Sequence, residues 1–566
     1  MRDLRGRRCW SGAVPAALRA ANGMGAALLL MSGTACASVG GGYGSSGDGG
    51  YGRRDERQFI GSYSEVRGVG VSRRYVYAAS PGGIAIYDRV TNAWLPPLTR
   101  GSGFNLDPVT VLAGDPVEDA MWFGVPGAVV VYRPETEQLQ RTPITGVPDL
   151  IVFDRGHSGD ALVRAGGAWT RVSRVGITTP LMGPPAVASV IVPGTLQDVY
   201  ERFPMLRSGG ALLLRDQKAD RALRNYPVIS GGVSPERASE VWLGTAGDGL
   251  YRVDPAFQQA TRLQFGPIES GIGALALAAD GVWTAGLGAS PLRAGLSFAS
   301  NDLQRWRWID GTISVPMVGM RAHAMSLREG RAWIATDRGV VRARVDGSDE
   351  LTAWTSLDGL PDDRVFSIAA RQGGAWAGTA RGLVWLSDSA GARGSRSRGI
   401  GVRLLENTAV FALQAIGDTL WAGTSGGLVA IASATGTLLR PVGADPALRR
   451  AVRALAWSDT MLLAATDDAV LALAPRGGRE PVRIIALDPR QVGAITSLAI
   501  DDRSIVMSGD DGVVVLPRAG GGPRILRVPA DIPAPALDVV MSRDWLWVAT
   551  PAGLARFRRA SDGGLP

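Results

Sequence analysis

Two octamers, WAGTARGL at 376–383 and WAGTSGGL at 421–428, lie 45 residues apart and differ at two positions. A chain that repeats such a phrase is confined to folds whose unit is about that long. Related segments run through the sequence: VWLGTAGDGL at 241, AWIATDRGV at 332, AWAGTARGL at 375, LWAGTSGGL at 420 and LWVATPAGL at 546, with weaker copies at 76, 121, 282, 462 and 505. Four short apolar runs follow one another within a unit, as in VRALAW, MLLAAT, AVLALA and PVRIIAL from residue 452 onward. Gly, Pro and Asp break them, and no helical period intervenes. The spacing predicts an all-β chain of β-propeller blades of about 43 residues, because a four-stranded sheet of this kind buries its faces only against its neighbours.

Eleven units are countable if DALVRAGGAW at 160 is included, and a degraded unit near residue 211 makes twelve. Propellers close with about 4 to 8 blades, so two propellers are expected, near six plus six or seven plus five. The 50-residue interval from Trp283 to Trp333 places the division near 320, giving propeller 1 at 58–320 and propeller 2 at 321–566. A helical insertion is expected near 190–235, where Thr195 caps TLQDVYERF, Asp198 follows three residues later and Leu196, Val199 and Phe203 share one face. RQFIGSYS at 57–64 is the candidate for the outer strand that the last unit lacks, which would close one ring with both ends of the chain.

The stretch SLDGLPDDRVFSIAARQGGAWAGTARGLVWL at 356–386 resembles the two-component regulator propeller repeat, a D-G-L-P turn followed by a V-x-x-I strand and a W-x-G-T-x-x-G-L hairpin. Asp358, Gly359, Leu360, Pro361, Val365, Ile368, Trp376, Gly378, Thr379, Gly382 and Leu383 carry the match, and the hairpin half extends over most of 75–560. The resemblance implies an extracytoplasmic sensor or a free-standing binding propeller. No kinase or membrane-spanning segment follows the last unit, so direct signalling is not expected.

The first residues read as a signal segment (1–36): Arg2, Arg5, Arg7 and Arg8, then the apolar MGAALLLM, then SGTACAS. Cys36 after Gly33-Thr34-Ala35 resembles a lipobox and is the candidate lipidation site. Cleavage after Ala35-Cys36-Ala37 is the alternative. Residues 37–57 read as a Gly/Ser-rich tether. Export to the cell envelope follows, periplasmic or anchored at the outer membrane, with the membrane reached through the lipid alone.

Cys9 and Cys36 are the only cysteines, so disulfides do not hold the repeats together. The charge of +8 is spread along the chain, with Lys218 the one lysine, which excludes a clustered nucleic-acid footprint. GTSGG around Ser425 fits a nucleophile elbow, but Ser425 occupies a position that varies between repeats, where Ala380, Asp337 and Asp467 stand elsewhere. His157 and His323 are too few for a histidine metal site. The pairs at 467–468 and 510–511 sit where a hairpin turn favours Asp. No catalytic residue, metal site or cofactor is therefore assigned. Trp306 and Trp308 in DLQRWRWID, with Trp354 and Trp94, lie outside the repeat position and are the candidate ligand-binding residues. The first two would share one side of a strand, as a sugar or peptide platform or as a core pair. ARGSRSRGIGVR, with Arg393, Arg396, Arg398 and Arg403, reads as an exposed basic loop. The expected function is a non-enzymatic binding propeller for a protein or glycan partner, sensor-like or scaffolding. A carbohydrate-active enzyme using carboxylates in a funnel is the alternative.

Overall fold

A computed structural model describes residues 56–565, except 100–107, 157–158, 205–225, 235–239, 255–258, 290–292, 313–316, 389–399, 440–445, 459 and 475–480. The signal segment, Cys36, residues 37–55 of the expected tether, His157, Arg393, Arg396, Arg398 and the degraded unit near 211 lie outside these residues, and Arg57, expected to end the tether, begins a strand. Residues 51–566 are one compact unit.

Each repeat hairpin forms for the same local reason. The Thr379 hydroxyl donates to the Gly382 carbonyl at 2.8 Å and accepts the Arg381 N–H at 3.1 Å. The same two bonds recur at Thr336, Thr424 and Thr550. A buried hydroxyl used in this way satisfies turn backbone that water does not reach. Gly382 has a φ of +142°, and a Cβ there would lie 2.9 Å from the Leu404 carbonyl oxygen, so both backbone and space select glycine. A Cβ on Gly378 would meet Val410 of the next sheet at 2.7 Å, which explains the glycine of W-A-G-T as a sheet-to-sheet approach. The tryptophans fill the space between sheets: Trp122, Trp242, Trp333, Trp376 and Trp547 are fully buried.

Seven sheets form a closed ring: blades 1 (272–310), 2 (322–354), 3 (365–404), 4 (410–432), 5 (452–483), 6 (495–527) and 7 (538–558 with 57–60). Their inner strands, Ile272–Ala278, Ala322–Arg328, Val365–Arg371, Val410–Ile416, Val452–Ser458, Ile495–Ile500 and Asp538–Met541, pack each against the next, and the last packs against the first. Blade 7 takes its outer strand from the other end of the chain, as the sequence predicts. Arg57–Ile60 pairs antiparallel with Gly553–Arg558, with Gln58 opposite Arg556 and Phe59 opposite Ala555. The Gln58 side-chain oxygen accepts from Arg556 Nε at 2.9 Å, and Phe59 meets Phe557 edge to face at 6.0 Å.

Between Ile60 and Ile272 the chain leaves the ring and builds sheets A (68–98), B (111–143), C (148–191) and D (228–263), whose inner strands neighbour one another in the order D, A, B, C. The predicted helix is present as α1, Leu196–Arg202, with the Thr195 N–H donating to Asp198 at 2.6 Å and the Asp198 N–H to Thr195 Oγ1. Leu196, Val199 and Phe203 pack on sheet D.

Eleven sheets are present among the described residues, seven in the ring and four in the arc. The ring does not begin at the division expected at 320. Blade 1 belongs to it, because Ile272–Ala278 packs between Ala322–Arg328 and Asp538–Met541. The long interval from Trp283 to Trp333 holds a connection between two blades of one ring, so spacing alone misplaced the boundary.

Candidate functional site

Of the four tryptophans proposed from sequence, two face inward on both sides. Trp308 is 5% exposed, donates its indole N–H to the Gly266 carbonyl at 2.8 Å and lies between the guanidinium groups of Arg262 and Arg293, 5.1 and 5.6 Å from its centre. Trp354 is 1% exposed and stacks on Trp333 at 5.4 Å. Trp94 and Trp306 meet through Phe265, at 4.6 and 5.7 Å between ring centres, in the core that joins arc to ring. The Gln304 amide completes that joint by bonding the N–H and C=O of Trp94 at 2.8 and 2.9 Å, as a neighbouring strand would. Both rings are 7% exposed, with edges on a cleft of about 610 Å³. An exposed Trp306–Trp308 platform is absent because the arc covers that side of blade 1.

The side chains that do converge come from a device missed in the sequence. In blades 1 to 6 the inner strand carries a bulge at its second residue, so that one extra residue stands unpaired: Gly273, His323, Phe366, Phe411, Arg453 and Thr496. A bulge re-aims its side chain out of the sheet. The residue before it is buried in each of these blades but the sixth, as with Val365, Val410 and Val452. Where the inner strands begin, four bulged residues touch in sequence around the ring. His323 lies 6.0 Å from Phe366, Phe366 lies 5.6 Å from Phe411, and the Arg453 guanidinium sits 4.6 Å over Phe411. All four are half-buried. Arg453 Nε donates to Asp467 Oδ1 at 3.1 Å, which fixes the guanidinium over the ring. Burial, with the Arg321 charge beside it, holds the His323 imidazole below its usual pKa, so it is neutral at pH 7. Blades 1 and 6 present Gly273 and Thr496 instead, so the mouth is bulky and aromatic along one arc and open along the other. The sequence signal was the second residue of the inner strand, which varies from Gly to Phe to Arg while the residue before it stays apolar.

Asp538 lies at the seam where the ring closes. It accepts from the Leu275 N–H of blade 1 at 2.8 Å, from Ser497 Oγ of blade 6 at 2.7 Å and from the Val539 N–H at 2.9 Å. Enclosure pushes its carboxyl up to about 6 against the pull of these donors. A carboxyl raised above its unfolded value near 3.9 favours the folded state most when protonated. Its contribution is complete below about pH 4 and is lost as pH rises to about 6, by up to about 3 kcal/mol. Denaturant titrations from pH 4 to 7 should therefore show wild type losing stability relative to Asp538→Asn across that window. Parallel curves for the two proteins would mean the carboxyl is not raised.

The turn aspartates are engaged locally: Asp467 with Arg453 and Asp468 with Arg450. Ser425 bonds the Ala409 carbonyl through its N–H, as a turn residue. Among the described residues no group of three or more His, Cys, Asp or Glu is gathered as metal ligands, and no helix is long and apolar enough to cross a membrane.

These sheets define a β-propeller protein. No protein-family model matches the chain, and no curated protein matches it. Solved structures similar to it include the extracellular domain of the putative one component system BT4673 from B. thetaiotaomicron, at 14% identity over 87% of this chain and 69% of that one, with a TM-score of 0.39. Another is PorZ, a surface component of the type-IX secretion system of Porphyromonas gingivalis, at 13% identity over 88% of this chain and 69% of that one, with a TM-score of 0.41. Virginiamycin B lyase from Staphylococcus aureus is similar over 51% of this chain and 96% of its own, at 12% identity and a TM-score of 0.41.

Proposed function

We propose that this chain is an exported, non-enzymatic binding propeller of the cell envelope, held to the membrane by a lipid on Cys36, which engages a protein or glycan partner at the mouth of its seven-bladed ring. The observation that carries this reading is the run of bulged residues His323, Phe366, Phe411 and Arg453. Repeat positions are spent on Trp, Thr and Gly that build the blades. The bulged positions are free of that duty and bring apolar faces and fixed polar tips to one edge of the mouth, the composition of a recognition surface. The D-G-L-P and W-x-G-T-x-x-G-L phrases support a place beside the two-component regulator propellers, and the Arg-rich start, apolar centre and Cys36 support export.

A photo-cross-linking residue in place of Phe411 should give a discrete adduct in cells, while the same residue in place of Val175, 75% exposed on the arc, should not. Phe366→Ser with Phe411→Ser should abolish a cross-link made from Thr496 while leaving the melting temperature within about 3 °C, as expected for half-exposed side chains. An adduct from Val175 and none from Phe411 would move the binding surface off the mouth.

A further inference from the structure

A second cavity spans blades 2, 3 and 4, toward the ends of the inner strands and away from their starts, so it is separate from the mouth. It holds about 840 Å³ and has Met325, Ile368, Leu413, Trp376 and Trp385 on its apolar walls. That volume is within the usual range of small-molecule sites, about 300–1,000 Å³.

Three features coincide there. In blades 2 and 7 the residue opposite the repeat tryptophan is an arginine that lies over it, Arg342 at 5.7 Å from Trp333 and Arg556 at 5.4 Å from Trp547. In blade 3 the residue opposite Trp376 is Trp385, half-buried, at 5.4 Å between ring centres, so an indole pair stands on the cavity in place of the arginine of blades 2 and 7. The Trp376 indole N–H is the second feature: the residue is 2% exposed and this donor has no hydrogen-bond partner. Trp242, Trp421 and Trp547 share the orphaned donor but line none of the other large cavities described. The third is Arg371, half-buried at the end of the inner strand of blade 3, whose guanidinium makes no hydrogen bond or ion pair to a described residue. The one carboxylate on the cavity, Asp418, is exposed at its rim.

We infer that this cavity binds a small amphipathic organic acid, its apolar body against Trp376 and Trp385 and its carboxylate on Arg371. A neutral ligand would leave the guanidinium desolvated and unpaired. A carboxylate supplies the acceptors it lacks and matches the guanidinium fork with two parallel bonds. Two indoles give the body a large apolar contact.

Titration of the whole purified protein with octanoate, 1-octanol and inorganic phosphate, followed by tryptophan fluorescence and calorimetry, tests this. Octanoate should bind saturably and at least tenfold more tightly than either 1-octanol, which lacks the charge, or phosphate, which lacks the body. Arg371→Gln should weaken octanoate at least tenfold and leave 1-octanol unchanged. Arg371→Lys should restore part of the loss, and Trp385→Ala should weaken both organic probes. Equal affinity for octanoate and 1-octanol, unchanged octanoate binding in Arg371→Gln, or no saturable octanoate signal would each overturn the assignment.

Discussion

Trp547→Ala should lower the unfolding free energy by about 3–5 kcal/mol, the range for truncating a buried aromatic in a packed core. Trp547 is fully buried, covered by Arg556 and clustered with Ile60, Leu275, Trp242 and Trp306. Those residues belong to the closing strand, blade 1, sheet D and the outer strand of blade 1, so the cavity left behind would open where ring and arc meet. Neighbours drawn from separate sheets cannot all collapse into the gap, which puts the expected loss at the upper end of the range. Guanidinium denaturation reads it directly. A loss under about 1 kcal/mol would mean that the seam is not packed as described.

Asp248→Ala should cost about as much, 3–5 kcal/mol, because it removes the carboxylate on which Arg262 and the buried Arg293 and Tyr251 converge. Arg293 is 3% exposed and Asp248 1%. Arg293 donates to Asp248, to the Gly247 carbonyl at 2.9 Å and to Asp310 Oδ2 at 2.8 Å, and Tyr226 donates to the same Asp310 oxygen at 2.9 Å. Arg262 and Tyr251 also donate to Asp248. Asp248 belongs to sheet D and Arg293 to blade 1, so the network fastens the arc to the ring. Removing the acid leaves Arg293 with Asp310 as its remaining carboxylate and takes the acceptor from the buried Tyr251 hydroxyl. The double variant Asp248→Ala with Arg293→Met should lose less than the sum of the two single losses, since each single change already removes the Asp248–Arg293 bond. Strict additivity would show that the two side chains act independently.

The architecture was legible to the extent that its causes are local. Thr379, Gly382 and Gly378 do their work within a hairpin or against the adjoining strand, so their spacing announced the blade. The Thr195–Asp198 box announced its helix for the same reason, and the Arg57–Ile60 strand could be inferred from the strand missing at the chain's end. Ring membership was not legible, because the interval between two tryptophans measures the length of a connection and not which inner strands meet. Alternation correctly put Trp306 and Trp308 on one side of a strand, with Arg307 on the other, lying over Trp283 at 5.7 Å. Which side would be buried depended on an arc folded from residues far away in sequence. The mouth was hidden differently. His323, Phe366, Phe411 and Arg453 read as ordinary members of an alternating strand until a bulge turns them out of it. Arg293, Asp248, Asp310 and Tyr226 are scattered over four segments with no shared spacing, so only the fold assembles them.

The most direct test of the account is whether the ring closes through its N-terminal strand in the stated register. Cys9 and Cys36 are the only native cysteines and both lie outside the described residues, so a version with both replaced by alanine is a clean background. Facing residues of antiparallel strands stand roughly 4.5–5.5 Å apart at Cα, within the span of a disulfide. Phe59→Cys with Ala555→Cys should oxidise to a cross-link joining the two ends of the chain, seen by mass spectrometry of the digest. Phe59→Cys with Arg556→Cys, one residue out of register and on opposite faces, should remain largely as free thiols. Free thiols in the first pair, or equal oxidation of both pairs, would contradict a seven-bladed ring closed by Arg57–Ile60.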